Sequence, residues 1–227
     1  MRKIVLILFT TLLAAACTQK GSESIIAEKG DLTKYVNPFI GTAFTGHTFP
    51  GATYPLGMIQ TGPQTGNFTW EYCSGYFYED SLIQGFTQNR LNGTGCVDLG
   101  DLLVQPFAGE KRDNLDSHFS KTSEKASAGY YTVHLDDNNV TAEMTASPHV
   151  AFHKYTYPKG EKANLLIDFQ SGLVWQDARI HTHVLDNEVT FESDKVISGY
   201  TRRTEWVNRI YYFVIEFDKP LLYLSVS

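Results

Sequence analysis

Four clusters in this sequence hold side chains whose types and spacing suit chemistry. In Gly46-His47-Thr48-Phe49-Pro50-Gly51-Ala52 a histidine stands among glycines, beside an aromatic and a proline. Such a run makes a tight loop, with an imidazole that either faces a ligand or hydrogen-bonds the loop backbone. It is not a phosphate-binding loop, for it lacks the lysine that such a loop places on its phosphates. In Trp70-Glu71-Tyr72-Cys73-Ser74-Gly75-Tyr76-Phe77-Tyr78 an aromatic cluster adjoins a carboxylate. That is the chemistry of sugar recognition: ring faces pack on the apolar C–H face of a pyranose, and the carboxylate accepts hydroxyl protons. Trp70 follows Gly66-Asn67-Phe68-Thr69 and is expected on an exposed loop, whereas Tyr76 and Tyr78 are expected in the core.

The run from Arg90 to Asp101 holds Asp98 and Asp101, which could be paired as the carboxylates of a glycosidase. Two aspartates three apart among glycines more often accept backbone N–H bonds in turns, so a structural role is expected. On a strand, His181-Thr182-His183 turns both rings to one face. No third ligand of suitable type stands near, so solvent-facing rings are expected and no metal site is assigned. There is no glycine-flanked serine nucleophile and no cysteine pair at zinc spacing. No catalytic residue is assigned. The sequons at Asn67, Asn92 and Asn139 have meaning only in a eukaryotic secretory pathway.

The elements that must position these clusters read as strands. Segments rich in Val, Ile, Tyr, Phe and Thr run over Leu102–Phe107, Tyr130–Leu135, Val140–Ala146, Val150–Tyr157 and Asn164–Phe169. Others run over Ile180–Leu185, Val189–Glu192, Val196–Arg202 and Ile210–Phe217. Turn chemistry separates them at Asp136-Asp137-Asn138-Asn139, Pro158-Lys159-Gly160 and Asp186-Asn187. Short strands at this spacing predict an all-β domain, a β-sandwich. Residues 78–91 are the one stretch read as able to hold a short helix. Asn37–Gly100, glycine-rich between aromatics, is expected to be long ordered loop, and such loops are commonly functional.

The 227 residues, 42% hydrophobic and 13% aromatic, fit one globular domain. A net charge of −6 offers no basic stripe for phosphates, so no nucleic-acid partner is expected. The N-terminus is an address. Arg2 and Lys3 precede the apolar run Ile4–Leu13, then Ala14-Ala15-Ala16 and Cys17. The layout resembles a bacterial lipoprotein signal over residues 1–16, with Cys17 the lipidated residue. Residues 17–33 then form a tether and 34–227 the domain. The expected location is exported and membrane-anchored through the lipid, at the outer membrane.

A series of motifs in one order carries a further resemblance. Tyr35-Val36-Asn37-Pro38-Phe39-Ile40-Gly41-Thr42 opens it, and the His47 loop and Pro55-Leu56-Gly57-Met58-Ile59-Gln60 follow. Cys73-Ser74-Gly75-Tyr76, Gly85-Phe86-Thr87, Leu91-Asn92-Gly93-Thr94-Gly95-Cys96 and Gly100-Asp101 complete it. Together they resemble the N-terminal domain of glycoside hydrolase family 92, calcium-dependent exo-acting α-mannosidases. The resemblance implies a galactose-mutarotase-like supersandwich packed on a large C-terminal (α/α) toroid, with mannose at their interface. It implies inversion, with the acid, the base and most of the calcium shell on the helical domain. Without that domain the chain is expected to be an inactive fragment, with no calcium of its own.

On this reading Trp70 is a sugar platform on the leaving-group side and Glu71 accepts sugar hydroxyls. His47 and Arg90 are polar contacts at the domain interface. Many family members have two histidines where this chain has Gln88 and Arg90, and an aspartate in place of Glu71, which leaves the linkage specificity open. The rival expectation is a non-catalytic, surface-anchored carbohydrate-binding lipoprotein.

Overall fold

The computed structural model describes residues 31–67, 69–173, 183–204 and 207–222. Fourteen strands are found among them, with two 3-10 turns, Thr33–Tyr35 and Trp70–Tyr72. The first sheet joins β1 (Ala52–Thr53), β2 (Gln60–Gln64), β4 (Gly85–Thr87), β5 (Leu103–Ala108) and β11 (Ala163–Asp168) in that order. The second has β10 (Ala151–Thr156), β9 (Val140–Ala146), β8 (Tyr130–Leu135) and β7 (Lys125–Ser127). A third joins β12 (His183–Phe191), β13 (Val196–Thr204) and β14 (Arg209–Glu216), and β3 (Leu82–Ile83) pairs with β6 (Ser117–His118). Every pairing is antiparallel.

The core lies between the first two sheets. On β8 the odd positions Tyr131, Val133 and Leu135 are buried, and on β9 the facing Val140, Ala142 and Met144. Their register, Tyr131 with Met144, Val133 with Ala142 and Leu135 with Val140, puts all six on one face. Phe86, Val104, Leu165 and Ile167 meet them from the other sheet. The chain is thus a β-sandwich, as its alternating segments predict.

The helix considered for residues 78–91 does not form. Residues 82–83 and 85–87 are strands, and Phe86 pairs with Val104. Gly85 has φ +156°, and a Cβ there would lie 2.5 Å from the Leu103 side chain. That close approach fixes an extended path rather than a helical one. A second correction concerns Asp186-Asn187. The two are not a turn; β12 runs through them with an irregularity between Val184 and Asp186, a bulge that fuses the two segments expected there into one strand. Ile180 to Thr182 lie outside the described residues, as does the side chain of His183, and with them the paired-histidine reading.

One histidine ties the sandwich together. His153 on β10 contacts the Thr61 hydroxyl through Nε2 at 2.8 Å and the Tyr155 hydroxyl through Nδ1 at 2.6 Å. Burial holds its pKa down at about 4. The folded state therefore prefers the neutral ring, while the unfolded chain takes up a proton below about pH 6.5. Stability is complete above that value and falls as pH drops from 6.5 to 4, by up to about 3 kcal/mol. Urea melts at pH 7.5 and pH 4.5 are expected to show this loss, and His153→Gln is expected to flatten it. An unchanged pH slope in that variant would contradict the assignment.

Candidate functional site

Three loops meet where the sequence placed the sugar-binding cluster. The first closes on itself: Thr48 donates its N–H to the Gly41 carbonyl (3.2 Å) and its hydroxyl to the Ile40 carbonyl (2.9 Å). Gly46 is required at this closure, since a Cβ there would sit 2.1 Å from the Gly41 oxygen. The closure carries His47 at φ 51°, a left-handed conformation unfavourable for a residue with a side chain. The Gly93 N–H from the second loop holds the His47 carbonyl at 2.6 Å.

The third loop is the 3-10 turn Trp70–Tyr72. Thr69 before it sits at φ 79°, ψ 168°, a region otherwise left to glycine. Strained backbone of this kind at His47 and Thr69 persists only where surrounding contacts over-determine it. The Thr69 hydroxyl donates to the Glu71 carboxylate. That bond, the Glu71 backbone N–H and the nearby His47 hold the Glu71 pKa below its usual value. Glu71 is exposed and ionised, and the hydroxyl fixes its direction.

Trp70 is 40% exposed, and the His47 ring packs edge-on against it, centroids 4.3 Å apart at 70°. The indole Nε1 faces Gly95, where a Cβ would stand 3.2 Å away. Phe44 and Ile40 of the first loop are exposed, at 80% and 74%. Phe49 does not join them; it is buried, with the Arg90 guanidinium 4.2 Å from its ring centre. Phe68 lies outside the described residues.

The structure therefore brings together three of the four expected sugar contacts, His47, Trp70 and Glu71. It separates the fourth. Arg90 is fully buried, and its guanidinium donates to the carbonyls of Pro63 (2.8 Å), Ser74 (2.9 Å) and Gly62 (2.7 Å) and to the Thr87 hydroxyl (2.6 Å). Every one of those bonds points into the scaffold, so Arg90 builds the site rather than lining it. Gln88, at the other departure from the family pattern, is also buried, bonded to Thr61 and the Phe86 carbonyl.

Asp98 and Asp101 are structural, as expected, through arginines that the sequence reading did not foresee. Arg209 forks onto Asp101 (3.0 and 3.1 Å) and reaches Asp98 (2.7 Å), while Arg203 meets Asp101 at 2.9 Å. Tyr76 is buried as expected, donating to Glu124 at 2.9 Å, but Tyr78 is 40% exposed beneath the Lys121 ammonium. Cys73 and Cys96 are both free thiols. Among the described residues there is no group of three or more His, Cys, Asp or Glu that could hold a metal ion.

Comparison with known proteins bears on the family and the fold. The model of the glycosyl hydrolase family 92 N-terminal domain matches residues 35–226. A family 92 α-mannosidase of Bacteroides thetaiotaomicron, solved with mannoimidazole, superposes with a TM-score of 0.78 at 35% identity over 84% of this chain. An inverting family 92 mannosidase of the same organism superposes with a TM-score of 0.62 at 25% identity over 84% of the chain. An uncharacterized secreted glycosidase of Arthroderma benhamiae is 32% identical over 140 residues, 57% of this chain. The chain spans 26% and 25% of the two solved mannosidases and 18% of the secreted glycosidase. On its motifs, its sandwich and this family match, the chain belongs to glycosyl hydrolase family 92 and carries that family's N-terminal domain over residues 35–226.

Proposed function

We propose that this chain is the sugar-contacting domain of an exo-acting α-mannosidase that cleaves mannosidic glycans with inversion. The observation that supports it best is the half-exposed Trp70, braced by His47 beside the ionised Glu71, in a chain similar to an α-mannosidase solved with mannoimidazole. Trp70 receives the apolar face of the leaving-side sugar. Glu71 accepts its hydroxyl protons in charge-assisted hydrogen bonds. The acid and base belong to the larger part of the enzyme, an (α/α) toroid that also holds calcium. Inversion needs two carboxylates about 6.5–9.5 Å apart across the sugar, and Asp98 and Asp101 are committed to arginines. The exposed Phe44, Tyr35 and Ile40 form the face toward the toroid. The protein is exported, with Cys17 lipidated and the outer membrane as its location.

Calorimetric titration of the purified chain with α-mannobiose tests this reading. Millimolar binding is expected, weakened at least about tenfold in Trp70→Ala, the usual worth of a stacked ring and its buried area. The chain alone is expected to release no mannose from an aryl α-mannoside. Equal binding by wild type and Trp70→Ala would remove the platform. The alternative, a stand-alone carbohydrate-binding lipoprotein, predicts the same binding but no gain of hydrolysis when the chain is extended to the length of its solved relatives.

A further inference from the structure

His47 is an anomaly at the site. It is 6% exposed, and neither ring nitrogen has a hydrogen-bond partner. Buried polar groups are nearly always paired, and an exception calls for a reason. Its backbone is fixed from behind by the Gly93 N–H at 2.6 Å, in a left-handed conformation. The ring's firm neighbour is therefore the Trp70 indole, 4.3 Å away at 70°. We propose that His47 is a positioning residue: its imidazole props the Trp70 indole at the angle that receives a sugar ring, and its protonation releases that prop. The proposal rests on the reading of Trp70 as a sugar platform.

Burial lowers the His47 pKa, and the Glu71 charge opposes this by raising it. At neutral pH the ring is neutral and acts as an apolar edge. On acidification it gains a charge in a pocket that offers neither nitrogen an acceptor. The charged and titratable groups on the surrounding elements are few. Glu71, beside Trp70, is the one that acts on the imidazole. The Arg90 guanidinium is held by the carbonyls of Gly62, Pro63 and Ser74, and the thiols of Cys73 and Cys96 belong to the two neighbouring loops. Relief comes when the ring turns toward Glu71 or water, and Trp70 then loses its edge contact. Sugar affinity falls with it, through the face of Trp70.

Tryptophan emission of the intact chain, followed from pH 8 to pH 4.5, tests the coupling. A step with its midpoint below pH 6.5 is expected, lost in Trp70→Phe and in His47→Gln. Glu71→Gln alters an exposed residue that leaves the fold alone, and its midpoint is expected at lower pH, because the charge that raises the His47 pKa is gone. Mannobiose is expected to bind roughly 2- to 10-fold more weakly at pH 5 than at pH 7.5, the worth of one aromatic contact. No step, a step that survives Trp70→Phe, or a midpoint unmoved by Glu71→Gln would overturn the proposal, as would unchanged mannobiose affinity across a clear step. An intact step with no mannobiose binding at either pH would instead sink the sugar-platform reading and leave the His47–Trp70 coupling standing.

Discussion

Arg90→Ala is expected to destabilise the domain by about 3–5 kcal/mol, measured by urea unfolding at pH 7.5. Hydrogen bonds from a charged donor contribute about 1.5–3 kcal/mol each when lost from buried partners, and truncation of a large buried side chain leaves a cavity as well. Arg90 makes four such bonds and packs on Phe49. Its partners identify its task. Gly62 and Pro63 lie on β2, Thr87 on β4, and Ser74 just after the turn that carries Trp70. The guanidinium fork ties the Trp70 turn to the sheet. Burial pulls its pKa down to about 9, so it stays charged at neutral pH. Arg90→Lys keeps the charge and loses the fork; about half the loss is expected. A loosened turn should also bind mannobiose less well. A loss below about 1 kcal/mol in Arg90→Ala would show that the carbonyls find other donors and that Arg90 is not the tie.

Much of this architecture was legible because one face of each long strand is buried. Tyr130–Leu135 and Val140–Ala146 alternate apolar and polar residues with period two and form strands with those same bounds. Asp186-Asn187 misled because turn chemistry and bulge chemistry use the same residues: both need local irregularity, and only cross-strand pairing with Arg202 and Thr201 decides between them. Residues 78–91 misled because a run without strong alternation leaves the path to tertiary contact, here the seat of Gly85 on Leu103. At the candidate site, Trp70 on its exposed turn was legible from the glycine-flanked run before it. Arg90 was not. A lone arginine in a loop reads as solvent-facing, and its burial comes from carbonyls 16 and 28 residues away in sequence. Distant partners leave no local pattern.

The same holds for Asp101, and the consequence is large. Asp101→Ala is expected to cost about 3–5 kcal/mol, because it removes a buried carboxylate that two arginines share. Asp101 is wholly buried and receives Arg203 at 2.9 Å, the Arg209 fork and the Asn89 amide at 2.9 Å. The Arg203 side chain is itself fully buried. Arg209 keeps Asp98 as a second partner at 2.7 Å. The arginines come from β13 and its neighbour β14, and the aspartates from the loop that leads into β5. The cluster thus joins the third sheet to the loop that leads into β5. The double variant Asp101→Ala, Arg203→Met is expected to cost less than the sum of the two single losses, because either change alone already removes the Arg203–Asp101 pair. Losses that simply add would mean that Arg203 serves through its other contacts, the Phe169 carbonyl among them, rather than through Asp101. A carboxylate committed in this way has no lone pair to offer a sugar or a water. Its loss should therefore appear as unfolding, with mannobiose affinity of the folded fraction unchanged.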